Sequence, residues 1–350
     1  MYKFEILDLE QINIHEYENN YNEKNLFCTV QWLRFLSEFR NVKPMVIRIF
    51  DNTNSLIGHL TGASFSKFGL HFFGSPFYGW MGLHMGFDFI DFPQNKYHEV
   101  LDSVIDYLQE QLNLSYLIIA DYKISLDIIK NCKKKLFCEK KAWTYFLDIQ
   151  KSEEEIFNSF KSGYRTCVRK FYKMGGSIVE DYSDEFIAEH NRQLKDVFRR
   201  KALTAPDYSN RMKILNTKYP NMVLFIKAID NRGNNIASSY YLGSGTMAFF
   251  ASNASCSKGL NYNANQALMW YAIKYWKGKG IKTLDLGGTG DYKANFGSEL
   301  KSTPIIVWSK HKWHYRLIEL LRSIYYMQFR VKHRVQSIFS KKSLLNHLDN

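Results

Sequence analysis

Polar and apolar residues alternate from the start of the chain, Met1-Tyr-Lys-Phe-Glu-Ile-Leu-Asp-Leu-Glu, and the alternation reads as a first strand. The pattern then runs through one order of periods twice. Ile47-Arg-Ile-Phe-Asp51-Asn52 is an apolar run ending in an Asp-Asn turn. A second run follows, Ser55-Leu-Ile-Gly-His-Leu60, and then a third, Gly69-Leu-His-Phe-Phe-Gly-Ser75. Ile226-Lys-Ala-Ile-Asp230-Asn231, Asn234-Asn-Ile-Ala-Ser-Ser239 and Thr246-Met-Ala-Phe-Phe-Ala-Ser252 repeat that succession, so the chain predicts two three-stranded antiparallel meanders.

Each meander is followed by one helix-period segment and one short apolar strand. In the first copy Val100, Leu101, Val104, Ile105, Leu108 and Leu112 fall at three- and four-residue spacing, which predicts a helix from about Tyr97 to Leu112, then the strand Tyr116 to Asp121. In the second, Ala267, Leu268, Trp270, Tyr271, Ile273 and Trp276 predict a helix from about Asn263 to Lys279 and Thr283-Leu-Asp-Leu286 the strand. Helical segments near Val30 to Phe39 and Ser183 to Arg200 precede the two meanders. A duplication decides the architecture. The order resembles the GNAT acetyltransferase fold, which implies an α/β (α+β) protein of two tandem GNAT-like modules with mixed central sheets. We place the modules at residues 1–150 and 151–310, the second opening on the acidic helix start Ser152-Glu-Glu-Glu155, with a basic C-terminal helical tail at 311–350.

The length of 350 residues agrees with two modules of roughly 150 each. Five cysteines, Cys28, Cys132, Cys138, Cys167 and Cys256, form no C-x-x-C pair, which argues for reduced thiols and against a zinc site. None of the ten histidines falls in H-E-x-x-H, and no metal is expected. The N-terminus lacks a signal peptide's basic cap and apolar core, and no apolar stretch is long enough to span a bilayer. These features predict a soluble cytoplasmic enzyme. The net charge of +13 is concentrated at the end, where residues 301–350 carry ten Lys or Arg against two acidic residues. A helix from about Lys312 to Phe339, with Arg316, Arg322, Arg330, Lys332 and Arg334 among apolar positions, either docks on the second module or contacts anionic membrane or RNA, peripheral to the inner membrane face.

The most informative segment is Leu284-Asp-Leu-Gly-Gly-Thr-Gly-Asp-Tyr-Lys-Ala-Asn-Phe-Gly297. Its spacing matches neither a P-loop nor a Rossmann fingerprint nor a G-x-S-x-G elbow. A helix ending in Lys-Gly280, then Asp285-Leu-Gly-Gly, then aromatic-Lys-x-x-Phe-Gly is similar to the Fem-type peptidoglycan aminoacyltransferases and related acetyltransferases. Ser162-Gly-Tyr-Arg165-Thr-Cys-Val-Arg169-Lys-Phe-Tyr-Lys-Met-Gly175 resembles that family's basic helix, and Phe27-Cys-Thr-Val-Gln-Trp32 its opening. The resemblance covers roughly residues 25–310 and implies that Lys293, with Tyr292 beside it, is functional.

An amine attacking an ester or thioester develops an oxyanion that a lysine in a dry cleft stabilises. Asp285 and Asp291 are the nearest candidates to accept the amine's proton. Arg165 and Arg169 share a helix face suited to a phosphate-bearing acceptor, with Gly287, Gly288 and Phe296 completing the substrate side. In the GNAT fold the donor's phosphates meet the N-terminus of the helix after the meander, which assigns Lys258, Asn263 and Asn265 to the donor, although the Q/R-x-x-G-x-G/A signature of coenzyme-A sites is absent.

The expected activity is N-acylation of an amine on a cell-envelope or polysaccharide precursor, the acceptor being a small molecule or a nucleotide- or lipid-linked sugar. The donor is acyl-coenzyme A or, alternatively, an aminoacyl-tRNA, with no tightly bound cofactor. Residues 178–219 hold two modest helices and leave no room for a coiled-coil arm, which favours a donor other than tRNA. A non-catalytic scaffold binding membrane or nucleic acid is the alternative of another class.

Overall fold

The computed structural model describes residues 2–19, 24–90, 92–201, 203–324 and 327. In chain order they form β1 (Lys3–Leu7), α1 (Ile14–Asn19), α2 (Val30–Arg40), β2 (Lys43–Phe50), β3 (Leu56–Lys67), β4 (Leu70–Ser75), β5 (Gly86–Phe89), α3 (Tyr97–Leu112), β6 (Tyr116–Ala120), α4 (Leu126–Ile129) and β7 (Leu136–Asp148). There follow α5 (Glu153–Ser159), α6 (Ser162–Lys173), β8 (Ser177–Glu180), α7 (Asp184–Arg200), α8 (Ser209–Lys218), β9 (Val223–Ile229), β10 (Asn235–Ser244), β11 (Met247–Ser255), α9 (Ser257–Tyr262), α10 (Ala264–Gly278), β12 (Thr283–Asp285), α11 (Asp291–Ala294) and β13 (Glu299–Ser309). Both meanders and both following helices form. The expected tail helix is seen over residues 312–324, and the rest of it, apart from Met327, lies outside the described residues.

Local chemistry sets the helix bounds. Thr29 caps α2 by accepting from the Trp32 amide, and Asn41 ends it in the left-handed region at φ 50°. Asn113, at φ 46°, ends α3 in the same way. Asparagine tolerates this conformation because its short side chain compensates locally. α5 opens on a capping box between Ser152 and Glu155.

Contacts divide the chain into two compact units, and these do not follow the two halves of the sequence. The first takes residues 1–161, 242–250 and 273–314, the second 162–241, 251–272 and the described residues from 315 onward. In the first unit the strand order is β1-β2-β3-β4-β6-β13-β7-β12-β11, with β5 pairing β3. β4 runs parallel to β6, and β6 then pairs antiparallel not with β7, which follows it in sequence, but with β13. The second half mirrors this: β11 is parallel to β12, and β12 pairs antiparallel with β7. The last strands of the two halves are thus exchanged, and they pair with each other along Glu299↔Phe146 to Trp308↔Leu136.

The core follows the exchange. Val100, Leu101, Val104, Ile105 and Leu108 of α3 pack on Met45, Ile47, Ile49, Leu60, Phe73, Leu117 and Ile119, together with Ile306 and Trp308 of β13. Burial of each such side chain contributes at most roughly 3 kcal/mol. The β11–β12 ladder is short: it stops at Phe249↔Asp285, so Asp285 is the last paired residue before the glycine loop.

In the second unit β8 pairs antiparallel with β9 from Ser177↔Ile229 to Glu180↔Ile226, and β10 follows β9 in the order. Phe186 of α7 stacks on Phe225 of β9 with ring centroids 5.2 Å apart.

Candidate functional site

The glycine loop is built on a buried hydrogen-bond relay within the first unit. Asp285 is fully buried at the end of β12, and both of its oxygens are engaged. Oδ1 accepts from the Thr144 hydroxyl of β7 and from the Gly287 amide at 2.8 Å, while Oδ2 meets His84 Nε2 at 3.1 Å. Thr144 Oγ1 in turn accepts from the Gly288 amide at 3.0 Å. On its other side His84 Nδ1 lies 2.8 Å from Asn25 Nδ2. Asn25 Oδ1 accepts from the Phe27 amide at 3.0 Å, so the nitrogen of Asn25 faces the ring. Nδ1 therefore accepts, and Nε2–H donates to Asp285. Phe27, Tyr122 and Phe146 surround the imidazole edge-on at 5.4, 4.7 and 5.5 Å.

The relay fixes backbone amides of a loop that only glycines can shape. Gly287, Gly288 and Gly290 have φ of 69°, 92° and 139°. Lys293, on α11, closes the loop by donating from Nζ to the Gly287 carbonyl, with Nζ 5.9 Å from the Phe250 ring centre. Burial depresses the Lys293 pKa, and the charge of Asp285 opposes that shift. Tyr292 packs edge-on against Phe296 at 5.1 Å, and Phe296 packs edge-on against Phe160 at the same distance. Lys161 donates its amide to the Asn295 carbonyl at 2.9 Å, which ties the far end of the loop to the residue after Phe160.

The first unit thus gathers Asp285, Gly287, Gly288, Tyr292, Lys293 and Phe296. Asp285 is buried, with one carboxylate oxygen on Thr144 and Gly287 and the other on His84. Asp291 is exposed at the start of α11. A cleft of about 400 Å³ beside the relay is lined by Asn25, Tyr122, Phe146, Asp148, Thr283 and Glu299, among others. It shares Asn25 with the relay.

The remaining expected residues lie in the second unit. Lys258 forms an ion pair with Asp230, the residue that shapes the β9–β10 turn by accepting from the Arg232 and Asn234 amides. Asn263, at φ 59°, separates α9 from α10 and accepts from Cys167 Sγ at 3.4 Å. Asn265 donates to Ser255 Oγ at 3.5 Å. These contacts tie α9 and the start of α10 to the β9–β10 turn, to α6 and to β11. Arg165 is half-buried and Arg169 exposed on α6.

Sequence reasoning missed His84, Thr144 and Asn25. The available signal was the second glycine-rich segment, Gly79-Trp-Met-Gly-Leu-His84-Met-Gly86, whose three glycines all take positive φ. It also missed the buried cluster of Asp88 between Lys24 at 3.0 Å and Lys123 at 2.6 Å. The two ammonium groups hold the Asp88 carboxyl down at about 2 against the upward push of its burial. Among the described residues no group of His, Cys, Asp or Glu is placed to hold a metal ion.

No family model and no curated protein matches the chain. Solved structures do. The fold is the GNAT-like fold shared with FemX and a tandem GNAT protein. The chain is similar to FemX at 14% identity and a TM-score of 0.71, over 90% of this chain and 100% of that one. It is also similar to L-PGS from Bacillus licheniformis, at 10% identity and a TM-score of 0.50 over 88% and 95% of the two chains. A tandem GNAT protein from the clavulanic acid biosynthesis pathway matches at 9% identity and 0.50, over 88% and 98%.

Proposed function

We propose that this protein is an N-acyltransferase that moves an acyl group from a carrier to an amine on a cell-envelope precursor. One observation carries the reading: Lys293, half-buried and short of its ordinary pKa, is locked over a positive-φ glycine loop that the His84–Asp285–Thr144 relay holds in place. Preorganised donors in a partly dry site are what stabilises the oxyanion formed when an amine attacks an ester or thioester carbonyl. Lys293 supplies the charge and Tyr292 a wall beside it. The relay keeps the loop from reorganising during the reaction. Resemblance to Fem-type enzymes and the fold shared with FemX support acyl transfer as the reaction class.

In this reading the donor is acyl-coenzyme A, α7 and α8 being the only helices between residues 178 and 219 among those described. Aminoacyl-tRNA is the second reading, favoured by the Fem-type motif around Lys293. The acceptor is a small molecule or a nucleotide- or lipid-linked sugar, polysaccharide precursors included. The test is a mass-spectrometric assay of purified protein with an amine-bearing envelope precursor and either acetyl-coenzyme A or an aminoacyl-tRNA. An amide-linked product with one donor identifies it. No product with either, together with salt-sensitive binding to anionic vesicles, turns the assignment to a non-catalytic scaffold.

A further inference from the structure

The second unit contains a chain of hydrogen bonds whose direction can be worked out from one end to the other. Glu189 on α7 accepts from Arg192 at 2.6 and 2.7 Å and from Gln193 Nε2 at 3.0 Å. An ionised carboxylate only accepts, so the amide nitrogen of Gln193 faces Glu189 and its oxygen faces the other way. Ser238 Oγ on β10 donates to that oxygen at 2.7 Å. With its proton committed there, Ser238 must accept from His190 Nδ1, 2.9 Å away. His190 is fully buried, and its burial, with the charge of Arg211 added, lowers its pKa to about 4. The imidazole is therefore neutral, with its free lone pair on Nε2. At 3.1 Å from Nε2 stands Ser252 Oγ, whose hydroxyl is the donor of that bond. Ser252 lies on β11 and, unlike His190, is only partly buried.

We infer that Ser252 is a nucleophile with His190 as its general base, and that this pair accepts the acyl group of an activated ester or thioester. Ser238 and Gln193 are positioning residues that hold His190 in the tautomer with a bare Nε2. In the step, Ser252 Oγ bonds to the carbonyl carbon while its proton passes to His190 Nε2. The C–S or C–O bond to the carrier breaks, and the proton on Nε2 goes to the leaving thiolate or alkoxide. Water or an amine then attacks the acyl-serine, gives its proton to Nε2, and Ser252 Oγ recovers that proton as it leaves. The site uses none of the residues of the glycine loop, so it stands or falls apart from the function proposed there.

The probes are acetyl-coenzyme A and p-nitrophenyl acetate, each incubated with the full chain. We expect release of p-nitrophenolate and an acetyl group mapped by peptide mass spectrometry to Ser252. Ser252→Ala abolishes both, His190→Gln slows release by about 100-fold, and Ser177→Ala, at an exposed position on β8, leaves both unchanged. Should His190→Gln fail to fold by circular dichroism, Ser252→Ala, which removes one hydroxyl, decides alone. Release unchanged in Ser252→Ala, an acetyl group mapped elsewhere, or neither adduct nor release above background overturns the assignment and leaves the chain of bonds a purely structural one.

Discussion

His59 and His190 are both held as neutral bases by burial, which depresses each pKa from 6.5 to about 4; Asp88 opposes the shift at His59 and Arg211 adds to it at His190. An unfolded chain binds protons on these rings between pH 6.5 and 4 where the folded chain does not. Stability is therefore full above about pH 6.5 and falls as the pH drops through that window, each ring contributing on the order of 3 kcal/mol. Urea unfolding at pH 7, 5.5 and 4.5 checks this, and a transition midpoint independent of pH would refute it. Other residues became legible for different reasons. Lys293 and its glycines announced themselves because their partners are adjacent in sequence. His84 and Thr144 did not, since they meet Asp285 across 201 and 141 positions, and only the folded chain brings them together.

At the scale of elements, the loop that carries Lys293 depends on glycine at both ends. Gly297 has φ 73°, and a Cβ there would collide with the Ser159 side chain and its carbonyl oxygen. Gly297→Ala is expected to lower stability by more than about 1 kcal/mol and to reduce turnover as the loop shifts. Gly163, in α6, serves as its counterpart, because a Cβ added there would meet nothing within 4 Å: Gly163→Ala should stabilise by roughly 0.5 kcal/mol. Thermal melts of the two variants distinguish a conformational requirement from a general sensitivity to substitution. Helices α3 and α10 were readable because their apolar stripes are long and periodic. β7 and β13 were not: β7 opens Leu-Phe-Cys-Glu-Lys-Lys, and β13 carries exposed charge at its start and Pro304 within it, with a register shift one residue later. A proline inside a strand that pairs on both sides contradicts the usual sequence signal for a central strand.

For the whole molecule, duplication was visible in the sequence but the exchange of terminal strands was not, since both halves carry the same pattern whichever partner each strand takes. A fragment of residues 1–150 would keep β6 and β7 but lose β13, which pairs with both, and β12, which pairs with β7. It is expected to show no cooperative unfolding alone and to recover it when co-expressed with residues 151–350, whereas a sharp transition from the isolated fragment would contradict the exchanged pairing. Among the described residues no helix is long and apolar enough to cross a membrane. The central claim, acyl transfer supported by the lysine over the glycine loop, is tested most directly by the turnover of Lys293→Ala, with wild type and variant melting at the same temperature. We predict a loss of product formation of about 100- to 1000-fold, the scale of removing one oxyanion-stabilising donor. Turnover equal to wild type in a correctly folded variant would contradict it.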